Sequence, residues 1–260
     1  MNIDDYLSKK KQECFVISEL TKREIKRKYV RSYLGVLWSL LNPLLYMVVM
    51  TVLFSTMFSR SIENYPVYYL TGYLVWELFS QSTSQMMTVL VDNRQLMLTV
   101  RLSGRVLALS RCFTAIVNFV LSLIPYALLL MISHISASPT MLLLVPGLFF
   151  CILFSIGMGY VLSILYVFFA DIQYLYTVLL TLWMYLSAIF YPIDSVPEPL
   201  SVFISNNPIY VYITYMRSIM LYGSIPDTGI WIRMIIWGMG MYLVGISVYS
   251  YSSNKVLMRL

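Results

Sequence analysis

The chain alternates long apolar stretches with short polar breaks, and the lengths of these stretches predict membrane-spanning helices. A helix rises about 1.5 Å per residue, so roughly 20 apolar residues cross about 30 Å of hydrocarbon. Six stretches meet this requirement, and charged or turn-forming residues separate them. The predicted spans are about 34–58, 68–91, 106–133, 141–169, 172–191 and 229–251. The pattern therefore predicts an all-α integral membrane protein with six transmembrane helices.

The distribution of Lys and Arg predicts which side of the membrane each connection occupies. An even number of spans places both termini on one side, together with the basic amino-terminal segment 1–33 and the tail 252–260. The same side carries the connection 92–105, which contains Arg94, Arg101 and Arg105. Because cytoplasmic connections carry an excess of Lys and Arg, we predict that both termini are cytosolic.

Composition supports the membrane assignment and narrows the function. Hydrophobic residues make up 59% of the chain and charged residues 12%, and the mean hydropathy is +0.75. These values are far from those of a soluble domain. The net charge of +6 lies mostly on the predicted cytosolic side, and no basic patch recurs within a polar domain. The charge therefore indicates topology and attraction to anionic membrane lipids, and nucleic acid is not a predicted partner.

The connection of about 192–228, before the last predicted span, is long but is neither polar nor a clean span. Prolines divide it into pieces of roughly ten residues, which are too short to cross the bilayer. These prolines are Pro192, Pro197, Pro199 and Pro208. We predict short external re-entrant helices in this region, with an amphipathic hairpin on the membrane surface as the alternative.

A polar stripe runs along the second predicted span. Its residues follow one another at steps of three or four, so they share one helical face. They are Tyr69, Tyr73, Glu77, Gln81, Ser84 and Thr88. Such a stripe cannot face lipid and must face protein or a water-filled path. Glu77 is therefore a candidate pathway residue, although a structural Glu bonded to Tyr or Ser neighbours is also consistent with the pattern.

Aromatic residues recur every seventh position in the fifth predicted span, at Tyr176, Trp183 and Phe190. This spacing again places them along one helical face. Aromatic stripes most often serve packing. The alternative is a pathway wall, because aromatic rings stack on the apolar faces of sugars and Tyr hydroxyls bond sugar hydroxyls.

The sequence contains none of the local motifs that would give the chain chemistry of its own. A G-x-x-x-x-G-K-[ST] loop, an H-E-x-x-H helix and a G-x-S-x-G elbow are all absent. We therefore predict no catalytic residue, no metal site and no ATP hydrolysis by this chain alone. Cys14, Cys112 and Cys151 show no metal or disulfide spacing, and His134 is predicted to be an ordinary loop residue.

The predicted cytosolic connection 92–105 mixes leucines with polar and cationic residues, including Arg94, Gln95, Leu96 and Leu98. A short helix with this composition presents charge and apolar surface together, as a docking segment for a cytosolic partner does. A loop that served only as a topology anchor would need the arginines but not the leucines.

Four segments, in this order and spacing, identify a resemblance that covers nearly the whole chain. They are REIKRKYVRSYLGVLWSLLNPLLYMVVMTVLFS, YYLTGYLVWELFSQS, FFADIQ and AIFYPIDSVPEPLSVFISNNP. The chain resembles the permease subunits of ABC exporters for cell-surface polysaccharides, which include O-antigen, capsule and wall teichoic acid exporters. The resemblance implies a homodimer of permeases on two copies of a nucleotide-binding ATPase, with ATP and Mg bound by the partner.

The resemblance also implies roles for particular residues. An interfacial amphipathic helix around residues 22–31 lies along the inner leaflet, and a coupling helix occupies about residues 93–101. The candidate coupling residues are Asn93, Arg94, Gln95, Leu96, Leu98 and Arg101. A glycan path lies at the permease interface, and the candidates for its wall are Tyr69, Tyr73, Trp76, Tyr176 and Trp183. The polar stripe of the second span adds Glu77, Gln81 and Ser84 as candidate pathway residues.

Taken together, the sequence predicts a permease in the bacterial cytoplasmic membrane that exports a polyprenyl-diphosphate-linked glycan. Basic residues near the inner leaflet are predicted to contact the lipid diphosphate, since cations form strong hydrogen bonds to phosphate. These are Lys22, Arg23, Lys26, Lys28 and Arg31, with Arg94 as a further candidate. Two alternatives stay open: an ABC permease that exports a drug or small lipid, and an intramembrane glycosyl- or acyltransferase.

Overall fold

The computed structural model describes residues 3–29, 35, 37–58, 62–100, 102–135 and 138–259, and all regular structure within these ranges is helical. Ten α-helices follow one another: α1 (Ile3–Tyr29), α2 (Leu37–Phe54), α3 (Tyr65–Asp92), α4 (Arg94–Val100), α5 (Gly104–Ile132), α6 (Leu144–Phe168), α7 (Ile172–Tyr185), α8 (Leu200–Ser205), α9 (Pro208–Met220) and α10 (Thr228–Arg259). Short 3-10 turns occupy Pro139–Leu143 and Ile193–Ser195. The prediction of an all-α protein is confirmed for the described residues.

Within the described residues, four helical segments are long and apolar enough to cross a membrane. They are Leu37–Phe54, Gly104–Ile132, Pro139–Phe168 and Thr228–Ser253. These segments correspond to the first, third, fourth and sixth predicted spans. α10 continues beyond its apolar part, so that the predicted tail 252–260 is helical as far as Arg259.

The second and fifth predicted spans differ from these four. α3 has 28 residues and a length of about 42 Å, but with its Tyr and polar side chains it is not among the four segments that are apolar enough to cross a membrane. α7 has only 14 residues and ends at Tyr185, short of residue 191. The chain turns after Tyr185, and Ala188 adopts the left-handed conformation with φ 48°. That α3 and α7 also cross the membrane stays a prediction.

The core of the bundle is built on α6, which packs against α3 on one side and α10 on another. Glycines allow α6 and α10 to cross at backbone contact. A Cβ atom on Gly157 would overlap the backbone of Met241, and one on Gly245 would overlap the backbone of Gly157. Small residues of this kind let helix backbones approach closely in membrane proteins.

The end of the bundle with α8 and α9, which we call the outer end, contains the short helices expected before the last span. α9 has 13 residues, too few to cross a bilayer, and it packs among α3, α6 and α10. The Tyr212 hydroxyl donates to the carbonyl oxygen of Met234 over 3.1 Å, and the Tyr215 hydroxyl donates to that of Leu143 over 2.8 Å. α9 is therefore held inside the bundle, with most of its side chains buried.

The opposite end, which we call the inner end, carries α1 and α4 and is the end predicted to be cytosolic. α1 lies along α5, where the Thr21 hydroxyl donates to the carbonyl oxygen of Ser110 over 3.2 Å. Leu20 of α1 and Met97 of α4 are buried in the same apolar cluster as Leu107. α1 and α4 are thus attached to the base of the same helix bundle.

Candidate functional site

The polar stripe of α3 coincides with the partly exposed face of that helix. Tyr73, Glu77, Gln81 and Ser84 are all half-buried in the chain, whereas Tyr69 is buried at 1% exposure. The rest of α3 is mostly buried against α5, α6 and α9. The stripe is therefore the side of α3 that remains accessible to water or to another protein surface.

A chain of hydrogen bonds holds the middle of the stripe. Gln81 donates through Nε2 to Glu77 Oε1 over 2.9 Å, and Asn118 of α5 donates through Nδ2 to Gln81 Oε1 over 3.1 Å. Asn118 is not among the residues predicted from the sequence, although an amide within an apolar span is a usable signal. Because each amide is fixed by its neighbour, Glu77 is part of a network that joins α3 to α5.

Aromatic rings surround the outer end of the stripe. The ring of Tyr73 lies 5.6 Å from that of Tyr69 and 5.6 Å from that of Tyr46 on α2. Tyr69 in turn stacks at 5.8 Å on Phe190, which follows α7, and Phe190 lies 5.5 Å from Tyr185. Tyr46 and Tyr185 are not among the residues predicted from the sequence. These rings form one continuous aromatic group from α2 through α3 to the end of α7.

Tyr176 and Trp183 of α7 lie on a different side of α3. The Tyr176 hydroxyl donates to Thr83 Oγ1 over 2.6 Å, and the Trp183 ring meets Phe79 edge-on at 5.2 Å. Phe79 and Thr83 each follow a stripe residue by two positions, so they project about 200° away from it. Within one chain, Tyr176 and Trp183 therefore do not lie beside Glu77. Their contacts fit the alternative that these aromatic residues serve helix packing.

Trp76, the remaining aromatic candidate, packs on Phe79 of the same helix, and the connection before α9 is bonded to α7. Trp76 is buried at 6% exposure, with its ring 5.8 Å from that of Phe79. Trp183 donates through Nε1 to Asn207 Oδ1 over 2.8 Å, and Asn207 Nδ2 donates to the carbonyl oxygen of Leu186 over 2.8 Å. These bonds attach the segment before α9 to the end of α7.

Arg217 of α9 is a buried cation that is not among the site residues predicted from the sequence. It donates to the carbonyl oxygens of Tyr68, Ala188 and Ile189 over 2.9 to 3.3 Å. Its guanidinium carbon also lies 3.4 Å from the centre of the Tyr68 ring. A Cβ atom on Gly72 would lie 2.9 Å from Arg217 Nη2, so this glycine makes room for the guanidinium. Arg217 thus joins α9, α3 and the turn after α7.

At the inner end, α4 presents three of the six predicted coupling residues at its surface. Arg94, Gln95 and Leu98 are exposed, and the exposed fraction of Leu98 reaches 55%. Asn93 and Leu96 are half-buried, while the unselected Met97 is buried at 5% exposure. Met97 therefore fixes α4 to the bundle. Leu98, exposed among polar neighbours, is available for contact with another molecule. Arg101 lies outside the described residues.

A groove of about 590 Å³ separates α4 from α1. It is lined by Arg23, Arg27, Asp92, Asn93, Gln95, Leu96 and Thr99. Among the predicted lipid-diphosphate contacts, Lys22, Arg23 and Lys26 are exposed, and Lys22 pairs with Glu19 over 2.8 Å. Arg31 and the side chain of Lys28 lie outside the described residues. The described cations are therefore accessible along α1, at the border of this groove.

The fold and these surfaces define a class of protein: a helical membrane protein with a partly exposed polar helix face and a short exposed helix at its basic end. Among the described residues, no group of three or more His, Cys, Asp or Glu is placed to hold a metal ion. The chain belongs to the ABC-2 type transporter family, whose sequence profile matches residues 16–221. Proteins of this family are membrane subunits of transporters and are not themselves ATPases.

Curated relatives agree with the family and extend along most of the chain. The O-antigen export system permease protein RfbA of Myxococcus xanthus is 32% identical over 215 residues, which cover 82% of each chain. Two proteins of Klebsiella pneumoniae with the same description are each 25% identical over 232 residues, which cover 89% of each chain. The family match, over residues 16–221, includes α2 to α9.

Proposed function

We propose that this chain is the permease subunit of an ATP-driven exporter that moves a lipid-linked polysaccharide, such as O-antigen, across the bacterial cytoplasmic membrane. The observation that carries this proposal is the match of more than four-fifths of the chain to relatives described as O-antigen export permeases. The half-buried polar face of α3 and the exposed surface of α4 supply the two features that such a subunit needs: a hydrated path and a contact for an ATPase.

In this proposal α3 and α7 cross the membrane together with the four apolar segments, and both termini are cytosolic. The length of about 42 Å supports the crossing of α3, because it exceeds the hydrocarbon thickness of about 30 Å. Its polar face then lies at membrane depth, where a carboxylate is costly against acyl tails. A second copy of the chain covers this face, and the glycan path lies between the two copies.

The side chains on this face suit a polysaccharide. Tyr73 presents an aromatic ring on this face, with the buried ring of Tyr69 stacked behind it, and Glu77 and Gln81 place hydrogen-bonding groups one and two turns further along α3. Sugars have apolar ring faces and hydroxyl edges, so a path of aromatic rings and polar groups contacts both without a single tight site. Tyr176 and Trp183 serve the path by positioning α7 against α3.

The partner in this proposal is a nucleotide-binding ATPase present in two copies, which binds ATP and Mg. α4 is its contact in each permease, since Arg94, Gln95 and Leu98 are exposed there while Met97 fixes the helix to the bundle. Cations along α1, including Lys22, Arg23 and Lys26, attract the lipid diphosphate to the inner leaflet. Closure of the two ATPase copies moves α4 and, through it, the spans.

Reconstitution of the chain with its ATPase tests this function. We expect lipid-linked glycan to stimulate ATP hydrolysis in proteoliposomes and to appear on the opposite face of the membrane. Stimulation by drugs or short lipids but not by the glycan would favour the small-molecule exporter instead. Formation of a new covalent product by the isolated chain would favour the transferase and contradict the proposal.

A further inference from the structure

Glu24 of α1 stands at the centre of a group of charged side chains at the inner end of the bundle. Its Oε2 atom lies 2.8 Å from Arg111 Nη1 of α5, and its Oε1 atom lies 3.1 Å from Arg23 Nη2. The side chains of Glu24 and Arg111 are only 11% and 17% exposed. Water and salt therefore screen this pair much less than an exposed one.

Arg111 extends the group to the carboxyl end of α3. Its Nη2 atom lies 4.0 Å from Asp92 Oδ2, and the same oxygen accepts a hydrogen bond from the Thr88 hydroxyl over 2.7 Å. Asp92 is the last residue of α3 and lies two positions before the start of α4. Arg111 is thus placed between α1 and the helix that leads into α4.

Arg23 extends the group to the joint between α3 and α4. Its Nη2 atom lies 3.4 Å from Asn93 Oδ1. Asn93 donates through its backbone N–H and its Nδ2 atom to the carbonyl oxygen of Val89, over 3.1 and 2.9 Å. Its own carbonyl oxygen accepts a bond from the Met97 N–H over 3.0 Å. Asn93 therefore caps the end of α3, accepts a backbone hydrogen bond from α4 and contacts a cation of α1.

We propose that Glu24 is a positioning residue that fixes α4 relative to α1 and α5, so that displacement of α4 is passed to the spans. This role rests on the proposed function, in which an ATPase moves α4. Glu24 holds Arg111 and Arg23 at once, and these two cations reach Asp92 and Asn93 on either side of the joint. Without the Glu24 carboxylate, Arg111 and Arg23 both lose their closest anionic partner. The joint between α3 and α4 is then free to turn about Met97.

The test measures glycan transported per ATP hydrolysed by the reconstituted complex with its ATPase. Loss of one partner from a poorly exposed ion pair is costly, so we expect Glu24→Gln and Arg111→Met each to lower this ratio about tenfold. The double variant should be no worse than either single variant, because both changes remove the same interaction. The ATPase should still copurify with each variant.

Glu19→Gln is the matched control. Glu19 lies on the same helix and pairs with Lys22, but their side chains are 51% and 69% exposed. Exposed pairs contribute little, so transport per ATP should stay at the wild-type value. An unchanged ratio in Glu24→Gln would overturn the positioning role. A loss of transport matched by an equal loss of ATP hydrolysis or of bound ATPase would overturn it as well.

A second measurement reads the position of α4 without any substrate. Arg27→Cys and Gln95→Cys place two thiols on the lining of the groove between α1 and α4. Cys14, the exposed native cysteine, is replaced by Ser, while Cys112 and Cys151 are buried. We expect a thiol cross-linker to join the two sites in membranes, with a several-fold lower yield when Glu24→Gln is added. An equal cross-linking yield with and without Glu24→Gln contradicts the positioning role of Glu24, whether or not the complex exports glycan. A wild-type complex that exports no glycan contradicts only the proposed function.

Discussion

Arg217 buries a positive charge against backbone carbonyl groups at the outer end. The carbonyls of Ala188 and Ile189 follow the last turn of α7, where backbone oxygens have no helical partner. The guanidinium donates hydrogen bonds to these oxygens, and the oxygens in turn stabilise its positive charge. Arg217 therefore fixes three segments that are far apart along the chain: α9, α3 and the turn after α7.

Arg217→Met should destabilise the protein, because it leaves the carbonyls of Ala188 and Ile189 buried without a donor. Each such group costs about 1–3 kcal/mol, and we expect a lower Tm in thermal unfolding of the purified protein in detergent. Lys255→Met is the control, since Lys255 is exposed and lies 5.0 Å over the Tyr251 ring. Equal Tm values for the two variants would contradict the role of Arg217.

At the scale of elements, the crossing of α6 and α10 depends on glycine at the points of backbone contact. Gly157 and Gly245 face one another, and Gly238 meets the backbone of Phe150. No rearrangement of side chains relieves an overlap with backbone atoms. The distance between the two helices is therefore set by the absence of a side chain at these positions.

Gly157→Leu should force α6 and α10 apart, because its side chain would overlap the backbone of Met241. Overpacking of this kind costs about 1–3 kcal/mol or more. We expect a lower Tm and a lower yield of monodisperse protein in gel filtration. Gly240→Leu is the matched control on α10, since a Cβ atom there meets nothing within 4 Å. A variant at Gly157 that behaves like this control would show that the close crossing does not hold the two helices together.

α4 is the element whose exposed side chains carry the proposed contact with the ATPase. Arg94→Glu reverses the charge of an exposed residue and leaves the buried Met97 in place. We expect normal membrane insertion but a loss of export and of substrate-stimulated ATP hydrolysis of about tenfold or more, because like charges across an interface cost several kcal/mol. Export at the wild-type rate would contradict the docking role of α4.

At the scale of the whole molecule, one chain leaves the polar face of α3 partly open and keeps large apolar side chains exposed on α2 and α7. Leu45, Val52 and Leu179 are examples, with exposed fractions of 54%, 72% and 45%. In a membrane, lipid or a second copy covers such apolar surface, but lipid does not cover a polar stripe well. In the proposed dimer, the second copy covers the polar face of α3, and lipid or the second copy covers the apolar side chains.

The hydration of this face can be measured in intact membranes. Ser84→Cys places a thiol on the half-buried polar face, whereas Ile124→Cys places one on the exposed apolar surface of α5. A membrane-impermeant thiol reagent reacts with thiolates in water, so we expect several-fold faster labelling at position 84 than at position 124. Equal and slow labelling at both positions would place the polar face in a dry environment and contradict the proposed path.

The sequence by itself determined the helical class, four of the six predicted membrane-length segments, the polar stripe of α3 and the basic inner end. These features depend on periodicity, on apolar length and on local charge, which are properties of neighbouring residues. Only the tertiary structure decided that α7 ends at Tyr185, that Tyr176 and Trp183 meet α3 away from Glu77, and that Glu24 pairs with Arg111. These outcomes depend on contacts between residues far apart in the chain, and such contacts leave no periodic pattern in the sequence.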